Sequence, residues 1–132
     1  MRDDFKYPNF EAAKSVLSKI GVNTEFRLNR NDQDFEYTSC SLSELSQYIN
    51  LYSEPKTTDY EKRVLGCYFM QCLNDHIQEH KSEHPLQATA FSLMFANPEI
   101  HEHEINYWSN VGNSNQDNSW PIAKFLVNRK NI

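Results

Sequence analysis

The 132-residue chain holds only three glycines, Gly21, Gly66 and Gly112. Neither a phosphate-cradling glycine loop nor a G-x-S-x-G nucleophile elbow can be written from them. Cysteine is scarce and odd in number, and Cys40, Cys67 and Cys72 form no C-x-x-C pair. This usage argues against a disulfide scaffold and suits reduced thiols in a cytosolic protein. Long apolar runs are missing too. The densest, Val64 to Leu73, is about half what a membrane-spanning helix needs. The start, MRDDFKYPNF, puts acids where a signal peptide has its basic region and apolar core, so the expected location is cytoplasmic.

Basic residues are absent from one whole block. Between Ser82 and Ala123 there is no Lys or Arg, while Glu83, Glu99, Glu102, Glu104 and Asp117 lie inside it. Acids and bases balance over the rest of the chain, so the entire net charge of −5 falls within this block. Phosphate binding needs clustered Lys and Arg, which makes nucleic acid a poor partner. The block reads either as a solvated face or as a negative surface aimed at a basic protein.

Aromatics, by contrast, are plentiful, at 13 % of residues. With Leu, Ile and Val spread along the whole length, the chain is expected to fold as one globular domain over residues 1–132. The stretch from Thr58 to His80 organises it. Thr58 and Glu61 form a T-x-x-E capping box. Val64, Cys67 and Tyr68 then fall on one face, and Leu65, Phe69, Cys72, Leu73, His76, Ile77 and His80 on an adjoining one. So wide an apolar arc marks a helix packed on several sides.

Other elements follow from local signals. Asn9 can cap a helix over 10–20, which Gly21 ends in a left-handed conformation. Residues 24–39 alternate in two runs around the polar turn Arg30 to Gln33, with Phe26, Leu28, Phe35 and Tyr37 as the apolar positions. A small β-hairpin is expected there. Ser41 and Glu44 make a second capping box before a helix running to about Tyr52. Pro85 starts another helix, which Asn97-Pro98 ends. Residues 99–108 fit either helix or strand, and Pro98 at a first-turn position favours helix. Residues 109–119 read as a polar loop, and Pro121 opens a final short helix. The predicted fold is mainly α (α+β): five to six helices around a central helix at about 59–80, with one hairpin at about 24–39.

Chemistry-bearing strings are few. His76-Ile77-Gln78-Glu79-His80 fits H-x-x-E-H, a zinc-peptidase pattern in which two helical histidines share a face. His76, Glu79 and His80 therefore define an alternative reading as a small metal-dependent enzyme, with His76 and His80 as ligands. The competing reading, which we favour, is a helix end where histidines meet the negative dipole. In His101-Glu102-His103-Glu104 the two histidines share a face on a strand and diverge on a helix. Cys67 and Cys72 read as small core residues. No catalytic residue, metal or cofactor is assigned.

A small acidic domain without catalytic motifs fits a protein that binds another protein. In length, acidity, helical content and its aromatic-plus-acid residues Glu99, Glu102, Glu104, Tyr107, Trp108 and Asp117, the chain resembles the small immunity proteins of bacterial toxin–immunity pairs, including those of contact-dependent growth inhibition. The resemblance implies tight binding to a basic, nuclease-type toxin domain whose active site is covered. Those six residues are the expected partner-binding surface, with acids to steer and aromatics to anchor. Trp108 fits equally well inside the core. Tyr48, Tyr52 and Tyr60 form an alternative contact surface. The same surface also suits a phage-type inhibitor or a regulatory adaptor, and no membrane partner is expected.

Overall fold

The computed structural model describes residues 5, 7–28, 34–109 and 120–130. The order of elements is α1 (Phe10–Lys19), α2 (Thr24–Arg27), α3 (Phe35–Thr38), a 3₁₀ turn (Leu42–Glu44), α4 (Leu45–Tyr52), α5 (Asp59–His80), α6 (Gln87–Phe95), α7 (Pro98–Trp108) and α8 (Ala123–Lys130).

The central helix starts as its sequence predicts. Glu61 N–H donates to Thr58 Oγ1 at 3.1 Å, and Thr58 N–H donates to Glu61 Oε1 at 2.9 Å. Glu61 does more than cap. Its second oxygen accepts from Ser15 at 2.7 Å and pairs with Lys19 at 2.7 Å, so one carboxylate joins the first turn of α5 to α1. Burial acts against the charged form of Glu61, yet its bonds to Lys19, Thr58 and Ser15 outweigh that effect and hold its pKa below the usual value. Val64, Leu65, Tyr68, Phe69, Met70 and Leu73 of α5 are all completely buried. α5 can bury so wide an arc because α1, α3, α4, α6 and α7 all pack on it.

α1 also forms as expected, with Asn9 Oδ1 accepting from Ala12 N–H at 3.0 Å and Gly21 following at φ 83°. Pro98 occupies the first turn of α7, where its missing N–H costs nothing, and residues 99–108 are helical. Pro121 precedes α8; Ile122, just before the helix, and Leu126 within it are both buried in the core.

The hairpin does not form among the described residues, where Thr24–Arg27 and Phe35–Thr38 are helical; the turn expected at 30–33 lies outside them. Asn23 Oδ1 accepts from Glu25 N–H at 2.9 Å and starts the single turn of α2, leaving Phe26 86 % exposed instead of inward. Arg27 then reaches across, donating to Ser39 O at 2.7 and 3.0 Å and forking onto Glu44 at 2.8 and 3.0 Å. The second capping box fails for the same reason. Glu44 is held by Arg27 and by Tyr48 O–H, and Ser41 caps nothing with its side chain. Short runs of alternation carry little directional information, and a lone pair of strands would have lacked any sheet to join. The single-turn elements α2 and α3 and the 3₁₀ turn also take the number of helices past the five to six expected.

α5 ends in a way the sequence does not announce. Lys81 caps it at φ 61°, in the left-handed region where a β-carbon is crowded. Lys81→Gly should therefore raise unfolding stability by about 1 kcal/mol, read as a higher urea midpoint at unchanged slope.

Candidate interaction surface

Arg63 on α5 and Glu104 on α7 are each 2 % exposed, and Arg63 Nη1 meets Glu104 Oε1 at 3.0 Å. Both groups make further bonds. Arg63 Nε donates to Phe5 O at 2.7 Å, and its Nη1 also donates to Cys67 Sγ at 2.9 Å. The second oxygen of Glu104 accepts from Tyr37 O–H at 3.0 Å and from Trp108 Nε1–H at 2.7 Å. Burial and the neighbouring Glu104 carboxylate both push the Tyr37 phenol well above its ordinary pKa, so it stays a donor.

His101 is completely buried one helical turn before. Its Nε2 lies 2.6 Å from Tyr52 Oη, and Asn97 Nδ2 also donates to that oxygen, at 3.1 Å. With the proton on Nε2, Tyr52 accepts twice and donates to Leu93 O at 3.4 Å, leaving only the bare lone pair of Nδ1 without a partner. Burial first, then Arg63 and Lys62, push the His101 pKa down to about 3, so the ring is neutral at physiological pH. Gly66 makes the room, since a β-carbon there would lie 2.6 Å from Nδ1.

An aromatic cluster grows outward from this buried pair. Tyr37 stacks on Tyr107 with ring centroids 5.9 Å apart, and Trp108 packs edge-on against Tyr37 at 5.7 Å. Trp120 covers Trp108 at 5.1 Å and lies 6.0 Å from Tyr107. The inner rings are covered; the outer two are not, with Tyr107 47 % and Trp120 39 % exposed. Carboxylates border them. Glu36 is half-buried on α3, and its pKa is raised first by burial and then by Glu104 and Asp34, against a lowering by its own backbone N–H and Arg63. Among the described residues, no Lys or Arg forms an ion pair with Glu36. Along α7, Glu99 and Glu102 take the solvent face that Tyr107 borders.

The expected surface is thus divided by depth. Glu99, Glu102 and Tyr107 are accessible, whereas Glu104 and Trp108 are buried and hold the interior of the patch together. Glu104 is inside because Arg63 waits there to neutralise it, and Trp108 because its N–H finds that same carboxylate. Asp117 lies outside the described residues. Of the alternative surface, Tyr48 and Tyr52 are core residues and only Tyr60 reaches solvent. Sequence reading passed over Glu36 and Trp120. No local signal sets residue 36 beside residue 107; only the packing of α3 on α5 and α7 does.

The histidines fall in two places. His76 lies against His80 and His84, with ring centroids 4.5 and 4.7 Å away. His84 Nδ1 already accepts from Leu86 N–H at 3.0 Å, and no set of three potential metal donors among the described residues is arranged to hold an ion. His103 instead faces Tyr7, at 6.2 Å. No helix among the described residues is long and apolar enough to cross a membrane.

Comparison with protein-family models, with curated proteins and with solved structures finds no match to this chain.

Two carboxylates of this region should respond in opposite ways. Glu104→Gln strands the buried Arg63 charge and should cost about 3–5 kcal/mol in chemical denaturation. Glu36→Gln should raise the melting temperature at pH 7. Because folding raises the pKa of Glu36, ionisation costs stability above that pKa. The gain should vanish below about pH 4, where the carboxyl is protonated in both states.

Proposed function

We propose that this chain is a protein-binding inhibitor, an immunity protein that neutralises a basic, nuclease-type toxin domain through an acidic and aromatic surface. The observation that carries this reading is the exposed ring pair Tyr107 and Trp120, bordered by Glu36 and Asp34 with Glu99 and Glu102 further along α7. Exposed aromatics on a rigid base lose little conformational entropy on contact and make good anchors. Trp108 and Tyr37 supply that base here. The carboxylates give the surface one sign of charge, and the half-buried Glu36 gains a counter-ion when a partner's Arg or Lys arrives. A guanidinium laid over Tyr107 or Trp120 would also meet the negative faces of their rings. Acidic surfaces of this kind speed encounter with a basic cleft and reject acidic competitors.

The helical scaffold is compatible with the role without arguing for it. A regulatory adaptor or phage-type inhibitor would use the same surface against another basic protein, and the identity of the protected enzyme separates these readings.

The test is co-purification with the product of the adjacent gene, followed by titration and a nuclease-protection assay. Tyr107→Ala and Trp120→Ala should each weaken binding at least about tenfold. Glu99→Lys with Glu102→Lys should slow association and flatten its dependence on salt. Phe26→Ala, which alters a still more exposed ring elsewhere, should change neither. Unchanged affinity in the ring variants, with normal melting curves, would rule out this surface.

A further inference from the structure

Three imidazoles that the aromatic surface does not use gather where α5 ends. His76 and His80 stand one turn apart on one face of the helix, with ring centroids 4.5 Å apart and planes at 40°. His76 is half-buried and the His80 side chain is 52 % exposed, so one ring is held while solutes reach the pair. Beyond the left-handed turn at Lys81, the chain brings His84 back edge-on against His76 at 4.7 Å. Its Nδ1 accepts from Leu86 N–H at 3.0 Å, so the neutral ring carries its proton on Nε2 and keeps no free lone pair. The surroundings favour a cation. The Glu79 carboxylate lies 3.9 Å from His80 Nε2, and both rings sit at the carbonyl end of a 22-residue helix.

We infer that His76 and His80 form a two-ligand site for a divalent late-transition-metal ion of the zinc and nickel class. The ring separation carries this assignment. An ion about 2.1 Å from one nitrogen of each imidazole stands about 3.2 Å from each ring centre, so the two centres lie about 4.5 Å apart for a right angle at the metal and about 5.2 Å apart for a tetrahedral one. The observed 4.5 Å matches the first, and a small rotation of the exposed His80 ring covers the second. Imidazole nitrogens select zinc, nickel or copper over magnesium and calcium, which prefer oxygen donors. With two protein ligands, the other coordination positions belong to water, and the ion exchanges freely instead of being trapped as in a closed structural site. His84 is a positioning residue: its ring packs on His76 and limits its rotation towards or away from His80. The helix dipole that suits a protonated histidine at this end suits a bound dication for the same reason. The site stands without any reading of which protein the chain binds.

The experiment titrates the untagged full chain with nickel chloride in a non-chelating buffer and follows both heat and melting temperature. Expected at about pH 7.5 are one nickel ion per chain and a melting temperature that rises with nickel concentration, while magnesium does neither. Affinity should fall at least about tenfold on going to about pH 5.5, because protons then compete for imidazoles that titrate near 6.5. His76→Ala and His80→Ala should each bind at least about tenfold more weakly while melting normally in the presence of a chelator. His84→Ala should stay within about threefold of wild type. The inference fails if the wild-type chain takes up no nickel at about 1 mM. It fails also if the double variant His76→Ala with His80→Ala binds as well as wild type, which would put the ion elsewhere. A loss in His84→Ala equal to that in His80→Ala would overturn the two-ligand assignment.

Discussion

A guanidinium and a carboxylate cannot be taken out of water singly without a penalty of several kcal/mol each, and Arg63 with Glu104 are both almost wholly enclosed. Their enclosure is tolerable because Arg63 also donates to Phe5 O and Cys67 Sγ, and Glu104 also accepts from Tyr37 and Trp108. The fold is arranged to meet that demand. Phe5 O brings the start of the described chain to Arg63, Tyr37 brings α3 to Glu104, and Trp108 turns its N–H inward along α7. The ion pair selects one orientation of α7 on α5, and with it the side of α7 that meets solvent.

That orientation builds the candidate surface. With Glu104 and Trp108 turned in, Glu99, Glu102 and Tyr107 are turned out, and Trp120 is seated on Trp108. Among the described residues Glu36 is an acidic group near the patch that this interior leaves at a disadvantage, as it is half-buried and repelled by Glu104 and Asp34, with its backbone N–H and Arg63 compensating only in part. Groups kept at a cost to the folded state are where a binding partner has most to gain. His101 and Gly66 serve the same interface from the other side, since the absent β-carbon of Gly66 lets the neutral imidazole lie against α5.

The legible parts of the fold were those written in neighbouring residues. Asn9, Thr58 with Glu61, and Pro98 all mark helix starts by filling or lacking backbone donors within three residues, and each helix begins where those signals stand. The segment from 24 to 39 was misread because its alternation spans too few residues to separate a strand from a single helical turn, and its decisive contact, Arg27 on Glu44, spans 17 positions. Glu44 itself looked like a capping residue and is one of a partly buried ion pair instead.

The chain's sequence alone determined its helical class, the central place of α5, the buried character of Cys67 and Cys72, and the concentration of negative charge in one block, because periodicity, capping and composition are local or additive properties. Tertiary structure alone decided which acids in that block are surface and which are core. Glu104 and Glu102 are two positions apart and nothing near them tells them apart, but Arg63, 41 residues away, claims one and leaves the other to solvent. A carboxylate's depth is set by where its counter-charge lies in space, which a linear pattern does not contain.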